Sequence, residues 1–357
     1  MTSDEIPAEE KRSYVPGYDI RPIEEGDEVS LLESFNAAFA EGNPDFVPRT
    51  MAEWRWAFRD NPAGTRVIVA VKDGQVAAQN AALPVRVWIA DEERIFGQSV
   101  DSFVHPDHRK GLRRPGLFVK TVWEFIDTYG GSDKDLLHYG WPIWPAWRIG
   151  KTFLKYEIVR TQTLLRRPIP ADTDLSVLDA MGVDGAHANG TLKLEVIDRF
   201  DHQARWIWDR CAPAWGTSAI RDDRFLNWRI FDHPKHEYTV LGVRDAEGIL
   251  RGYAIYRFGD WIERDMGLLV DWLVPPEETE VVDLLHRAIC ALAARDGAKD
   301  MTGIFPDWTH WFEHFQDLGW RVHPSDYFMI GHSYHKPFDM LWLRKNWWYQ
   351  LVDTDLV

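Results

Sequence analysis

The chain has 357 residues, with 41 Lys+Arg against 56 Asp+Glu and a formal net charge of −15. Its length exceeds what one core ordinarily serves, so two domains of about 150 to 200 residues are expected, and 45% hydrophobic residues exclude a disordered chain. The acidity argues against a general nucleic-acid binder, and two cysteines, Cys211 and Cys290, are too few for a disulfide framework and suit a reducing compartment.

Residues 1–17 are polar and acidic, without the apolar core of a signal peptide, and read as a flexible tail. No stretch approaches the roughly 18 apolar residues of a membrane span, so a cytoplasmic protein is expected. From Arg49 the pattern is an amphipathic helix ended by Asn61-Pro62. Arg66 to Val71 then runs into Asp73-Gly74, a pair suited to the positive backbone angles of a tight hairpin, and on into an alternating strand through Ile89. Val100 to Val104 is a strand stopped by Pro106. Leu117, Phe118, Thr121, Val122, Phe125 and Ile126 form one face of the following helix, and Leu136 to Gly140 is a further strand.

After a Pro-, Gly- and Asp-rich stretch at 168–190, read as a linker, the order recurs. Arg221, Trp228 and Pro234 repeat Arg49, Trp56 and Pro62 at a displacement of 172, and Val270-Asp271-Trp272-Leu273-Val274 echoes Val100-Asp101-Ser102-Phe103-Val104 at 170. A hairpin signal at Asp245 to Gly248, a helical face of Val281, Val282, Leu285, Ile289 and Leu292, and a strand at Met301 to Phe305 complete the second copy. The pattern predicts an α/β (α+β) fold of two tandem units, each a mixed, mostly antiparallel sheet flanked by helices, at residues 18–167 and 191–357.

The stretch from Val104 to Phe118 carries the chemistry. Arg109, Lys110, Arg113 and Arg114 fall within six positions of an acidic chain, between a strand end and a helix start, with Gly111 and Gly116 among them. Free N–H groups and the positive end of a helix favour a phosphate there, glycine lets the main chain approach closely, and arginine pairs with phosphate through two nitrogens. The alternative is a basic surface loop ahead of a helix cap.

Here the sequence resembles the GNAT (GCN5-related N-acetyltransferase) superfamily, whose signature is a strand ending Val-x-Pro and then Gln/Arg-x-x-Gly-x-Gly/Ala opening a helix. This chain supplies Val104-x-Pro106, then His108-x-x-Gly111-x-Arg113 or Arg113-x-x-Gly116-x-Phe118. The resemblance covers residues 18 to about 165. It implies acetyl-CoA or another acyl-CoA as co-substrate, with pantetheine paired to the main chain of Phe103 and Val104 and pyrophosphate held by Arg109, Lys110, Gly111, Arg113, Arg114 and Gly116. The thioester would point toward Asp101, His138 and Tyr139, the candidates for base and acid. The acid tyrosine of many relatives falls at Lys151 in this register, with Tyr139 or Tyr156 as substitutes.

The loop of the second half, Pro275-Pro276-Glu277-Glu278-Thr279-Glu280, is acidic and free of glycine and would repel pyrophosphate, so one acyl-CoA site is expected, in the first half. The second half resembles the degenerate unit of tandem GNAT proteins, and its C-terminal Trp347 to Asp355 is expected near an interdomain cleft. His105-x-x-His108 and His310-x-x-x-His314 have spacings open to a metal but no convincing third ligand, so no metal is expected. The expectation is an N-acyltransferase, foremost an N-acetyltransferase, acting by direct attack of a primary amine of a small molecule, amino sugar or peptide. The rival is a non-catalytic protein of the same fold that binds CoA or another ligand. Neither a nucleic-acid partner nor a membrane span is expected, and a homo-oligomer is left open.

Overall fold

A computed structural model of the protein describes residues 11–109, 115–179, 187–188 and 192–356. The chain forms two compact units that interleave in sequence. Unit 1 takes residues up to Arg86, Arg94–Arg160 and Tyr327–Trp342; unit 2 takes Val87–Glu93, Thr161–Asp326 and Leu343 onward.

Unit 1 begins with β1 (Asp19–Pro22), α1 (Glu28–Ala40), α2 (Met51–Phe58), β2 (Arg66–Lys72), β3 (Gln75–Ile89) and β4 (Glu92–Val104). It continues with α3 (Leu117–Tyr129), β5 (Asp135–Gly140), α4 (Trp144–Phe153) and the start of β6 (Glu157–Pro168). Local chemistry sets the boundaries. Thr50 caps α2 in a reciprocal box with Glu53, and Asp73 and Gly74, at φ 50° and 80°, turn β2 into β3 as their sequence predicts.

Each face of this sheet has its own apolar layer. Leu31, Phe35, Trp54 and Phe58 of α1 and α2 cover Val67, Val69, Ala81, Val100 and Phe103. Phe125 of α3 covers Ile68 and Ala82 on the other face, where Leu117 and Phe118 lie against Ala70, Ala78 and Val104. Beyond them Val119 and Val122 meet Trp147, Leu154 and Tyr156. Asp101 has φ 52°, which interrupts the alternation of β4. Val100, Asp101 and Phe103 therefore all address the α1/α2 layer, through their contacts with that layer and with Arg49.

Unit 2 repeats the plan with α5 (Ser176–Asp179), β7 (His187–Ala188), β8 (Leu192–Val196), α6 (Gln203–Cys211), β9 (Thr217–Ala219), α7 (Asp223–Leu226), β10 (Thr239–Arg244) and β11 (Leu250–Gly259). Then come β12 (Met266–Leu273), α8 (Thr279–Arg295), β13 (Asp300–Gly303) and α9 (His310–Asp317); β14 (Arg321–Ser333) passes into unit 1 at Tyr327, α10 (Met340–Asn346) returns to unit 2 at Leu343, and β15 (Trp347–Trp348) follows. The strand order is β1-β2-β3-β4-β5-β14 in unit 1 and β6-β13-β12-β11-β10-β8-β7 in unit 2. The pairs β4–β5 and β12–β13 are parallel, as the strand–helix–strand crossovers through α3 and α8 require. All five residues expected on the apolar face of α8 are buried. The expected mixed α/β tandem fold is present, and its last unit 1 strand comes from residues after Asp326.

The C-terminal segment is built into unit 2. Trp347 and Trp348 pair with Thr217 and Ser218, and the Trp348 ring stacks on Trp215 at 4.5 Å. The chain has 19 tryptophans, and Trp54, Trp208, Trp272, Trp320 and Trp348 are fully buried, so tryptophan fills much of the core. Cys211 and Cys290 are buried free thiols. Among the described residues no helix is long and apolar enough to cross a membrane.

Candidate active site

The site in unit 1 is a parting of strands. Among the described residues the β4–β5 ladder runs from Ile95↔Asp135 to Gln98↔Tyr139 and ends there, while β4 continues to Val104. At Gly140, β5 pairs with Ile330 of β14 on its other side. A side chain at Gly140 would meet the Ser99 carbonyl oxygen at 3.1 Å, so glycine permits the strands to lie close just where they begin to separate.

Two hydroxyls mark this point. Tyr156 reaches over from just before β6, its oxygen 3.2 Å from Ser99 Oγ. Burial among Val119, Val122, Trp147 and Leu154 pushes the phenol up to about 12, so Tyr156 stays protonated at neutral pH. Lys151, at the position of the relatives' acid tyrosine in this register, lies exposed on α4.

The three sequence-predicted catalytic residues do not converge. Asp101 is on the α1/α2 side and forms an ion pair with Arg49. The main chain of Arg49 is held by Asn36, which accepts from its N–H at 2.8 Å and donates to its carbonyl at 3.1 Å. Its guanidinium lies over the Phe35 ring at 4.3 Å. His138 sits on the opposite side, its ring 4.9 Å from that of Phe125 of α3. Both its nitrogens are engaged: Nδ1 with the Tyr334 hydroxyl at 2.9 Å and Nε2 with Asp135 Oδ2 at 3.4 Å. Asp135 is in turn gripped by Arg66 Nε, 3.0 Å from each oxygen. Tyr139, next along the strand, faces away from His138 and is buried.

Of the expected cofactor residues, Phe103 and Val104 form the free-running end of β4, and Gly116 is the N-cap of α3, with no side-chain cap on its N–H groups. The Arg109 guanidinium turns back: Nε donates to the Val104 carbonyl at 2.8 Å, and Nη1 pairs with Glu41. Lys110, Gly111, Arg113 and Arg114 lie outside the described residues. His108 Nδ1 meets the Tyr18 hydroxyl at 2.8 Å, and His105 Nδ1 accepts from the Asp107 N–H at 3.3 Å.

Unit 2 holds the same Arg–Asp pair in a closed setting. Arg221 lies between Asp271 on β12 and Asp353 of the C-terminal segment, and all three are buried. Burial raises the Asp271 carboxyl above its ordinary range despite Arg221 beside it. Sequence reasoning found Arg49, Arg221, Asp101 and Asp271 as repeats but did not pair the arginines with the aspartates. Ser99, Tyr334 and Asp353 carried no local signal.

The acetyltransferase (GNAT) domain family matches residues 19–145. The fold is shared with solved structures over nearly the whole chain. A conserved protein from Enterococcus faecalis V583, described as a probable N-acyltransferase, is 14% identical, with a TM-score of 0.60 over 91% of this chain and 74% of that one. A GCN5-related N-acetyltransferase from Anabaena variabilis is 12% identical, with a TM-score of 0.58 over 88% and 72%. Saccharomyces cerevisiae N-myristoyltransferase, solved with bound myristoyl-CoA, is 13% identical, with a TM-score of 0.52 over 92% and 84%. The chain matches none of the curated protein sequences. The chain thus holds a GNAT acetyltransferase domain at residues 19–145, within a mixed α/β fold that it shares over nearly its whole length with N-myristoyltransferase.

Proposed function

We propose that unit 1 binds an acyl-CoA, foremost acetyl-CoA, and transfers its acyl group to a primary amine. The parting of β4 from β5 beside the Ser99 and Tyr156 hydroxyls carries this reading. The main chain of Phe103 and Val104 offers the peptide groups that a pantetheine arm pairs with. The segment from Arg109 to Gly116, ending at the uncapped start of α3, suits the pyrophosphate. In the transfer the amine nitrogen attacks the thioester carbonyl carbon. The C–S bond then breaks, and the departing sulfur takes the Tyr156 proton while the amine gives up its own to Asp101, the one candidate carboxylate on the α1/α2 side. His138, tied at both nitrogens by Tyr334 and Asp135, is better read as support for β5.

One feature favours the rival reading of a binding protein without turnover: the Arg109 guanidinium already has Glu41 as partner. Calorimetric titration with acetyl-, octanoyl- and palmitoyl-CoA, followed by thiol release over a panel of amines, decides between them. Binding with amine-dependent thiol release supports transfer, and binding alone supports the rival. A lack of binding at high micromolar concentration overturns both. Replacing Arg109 and Arg113 together should weaken binding at least tenfold if the loop holds pyrophosphate.

A further inference from the structure

Arg49 and Arg221 occupy one structural position in two units. Each precedes the N-cap of a short helix, Thr50 of α2 and Asp222 of α7, and each meets an aspartate near a bulge, Asp101 or Asp271. In β12 the bulge is seen in the register, where Ile255 and Tyr256 pair with Asp271 and Leu269 and so skip Val270.

The two settings differ in what else the arginine holds. Arg221 places Nη1 2.7 Å and Nη2 2.6 Å from the two carboxylate oxygens of Asp353, two parallel bonds of the kind a guanidinium makes best. Asp271 takes Nε at 3.4 Å, Nη2 at 3.2 Å and the Tyr253 hydroxyl at 2.9 Å. The segment bearing Asp353 also approaches β12: Gln350 Oε1 accepts from the Trp272 N–H at 2.7 Å, beyond the last pair of β12 with β13. Residue 272 corresponds to Ser102 in unit 1, on the stretch of β4 left free by β5. Unit 2 thus carries its own occupant, an amide on the free strand and a carboxylate on the arginine.

Unit 1 has no counterpart among the described residues. There Arg49 meets the Asp101 carboxylate and the face of Phe35, and its side chain is 27% exposed against 1% for Arg221. We propose that Arg49 is a carboxylate-binding residue and that the acceptor carries a carboxylate close to its amine, as an amino acid does. The carboxylate would take the remaining guanidinium N–H groups, as Asp353 does in unit 2, and the amine would face Asp101. A plain amine gains nothing from Arg49 and is repelled by its charge, whereas an ion pair with both partners within reach suits a zwitterion. The word acceptor rests on the transferase reading; the carboxylate site does not.

The test uses the full-length protein with α-, β- and γ-amino acids in matched pairs with their carboxamides. One readout is thiol release from acetyl-CoA, and the other is calorimetric binding with CoA present. The acids should be preferred at least tenfold in kcat/KM or Kd. Arg49→Gln should bring the preference close to one with CoA affinity unchanged, and Arg49→Lys should keep part of it; unchanged CoA affinity also shows that the variants fold. Binding of acids that Arg49→Gln abolishes, without thiol release from any amine, removes the transferase reading and leaves the site standing. Equal use of acids and amides by the wild type, a preference that survives Arg49→Gln, or neither binding nor turnover of any acid overturns the site.

Discussion

The Tyr156 hydroxyl lies 3.2 Å from Ser99 Oγ, beside the point where β4 and β5 stop pairing. This contact joins the α3/α4 layer to the stretch of β4 where its pairing with β5 ends. It also places a proton donor there that burial keeps protonated across the physiological range, its phenol pushed up to about 12.

Tyr156→Phe should therefore lower kcat by about 10² while KM for the acyl-CoA changes less than threefold, because general acid catalysis is worth that much and the ring still fills its space. Wild-type activity should show no loss attributable to this phenol below about pH 10. Steady-state thiol release against pH measures both. An unchanged kcat for the variant would remove Tyr156 from the chemistry.

Gly140→Ala tests the geometry of the opening. The added methyl would stand 3.1 Å from the Ser99 carbonyl oxygen, closer than such contacts ordinarily are, and main chain must move to admit it. We expect a stability loss of about 1–3 kcal/mol in urea unfolding together with weaker acyl-CoA binding. The methyl pushes β5 and β4 apart at the place where their spacing matters.

The repeat behind these arguments is readable in sequence because it rests on local demands. An arginine before a helix cap, an Asp-Gly hairpin and a strand ended by proline each leave marks a few residues long, and two copies in the same order reinforce one another. Other parts of the site leave no such mark. Alternation alone cannot reveal the extra residue at a bulge, so the common facing of Val100 and Asp101 needed the φ of 52° at Asp101. The engagement of His138 by Tyr334 spans 196 residues, so nothing local to His138 announces it. Asp353 closes on Arg221 across 132 residues, a contact that the topology brings about and no spacing rule contains.

The closed and open Arg–Asp pairs predict unequal costs. Arg221→Met leaves Asp271 and Asp353 buried together without a cation and should cost about 3–5 kcal/mol. Asp353→Asn keeps a neutral Arg–Asp pair and should cost about 1–2 kcal/mol. Arg49→Gln acts on a partly exposed pair and should cost below about 1 kcal/mol. Urea unfolding of the three variants checks the order. A cost for Arg49→Gln equal to that of Arg221→Met would show that both arginines are chiefly structural.

His286 sets a pH limit on unit 2. It is buried on α8 and accepts a hydrogen bond at Nε2 from Trp320 Nε1–H at 3.0 Å, which requires the neutral ring with its proton on Nδ1. Burial, with Arg167 and His314 adding to it, lowers its pKa to about 4. A histidine depressed by folding stabilises the protein above its unfolded value near 6.5. That stability is lost as pH falls through the window down to the folded value, because the unfolded chain takes up the proton first. The loss from pH 6.5 to 4 should amount to roughly 3 kcal/mol from this residue. His286→Gln, whose amide oxygen can accept from Trp320 without titrating, should be less stable than the wild type at pH 7.5 yet lose less on acidification. Unfolding free energies at half-unit intervals between pH 7.5 and 4 measure the slope, and equal slopes for the two proteins would mean that the ring charges within the folded state.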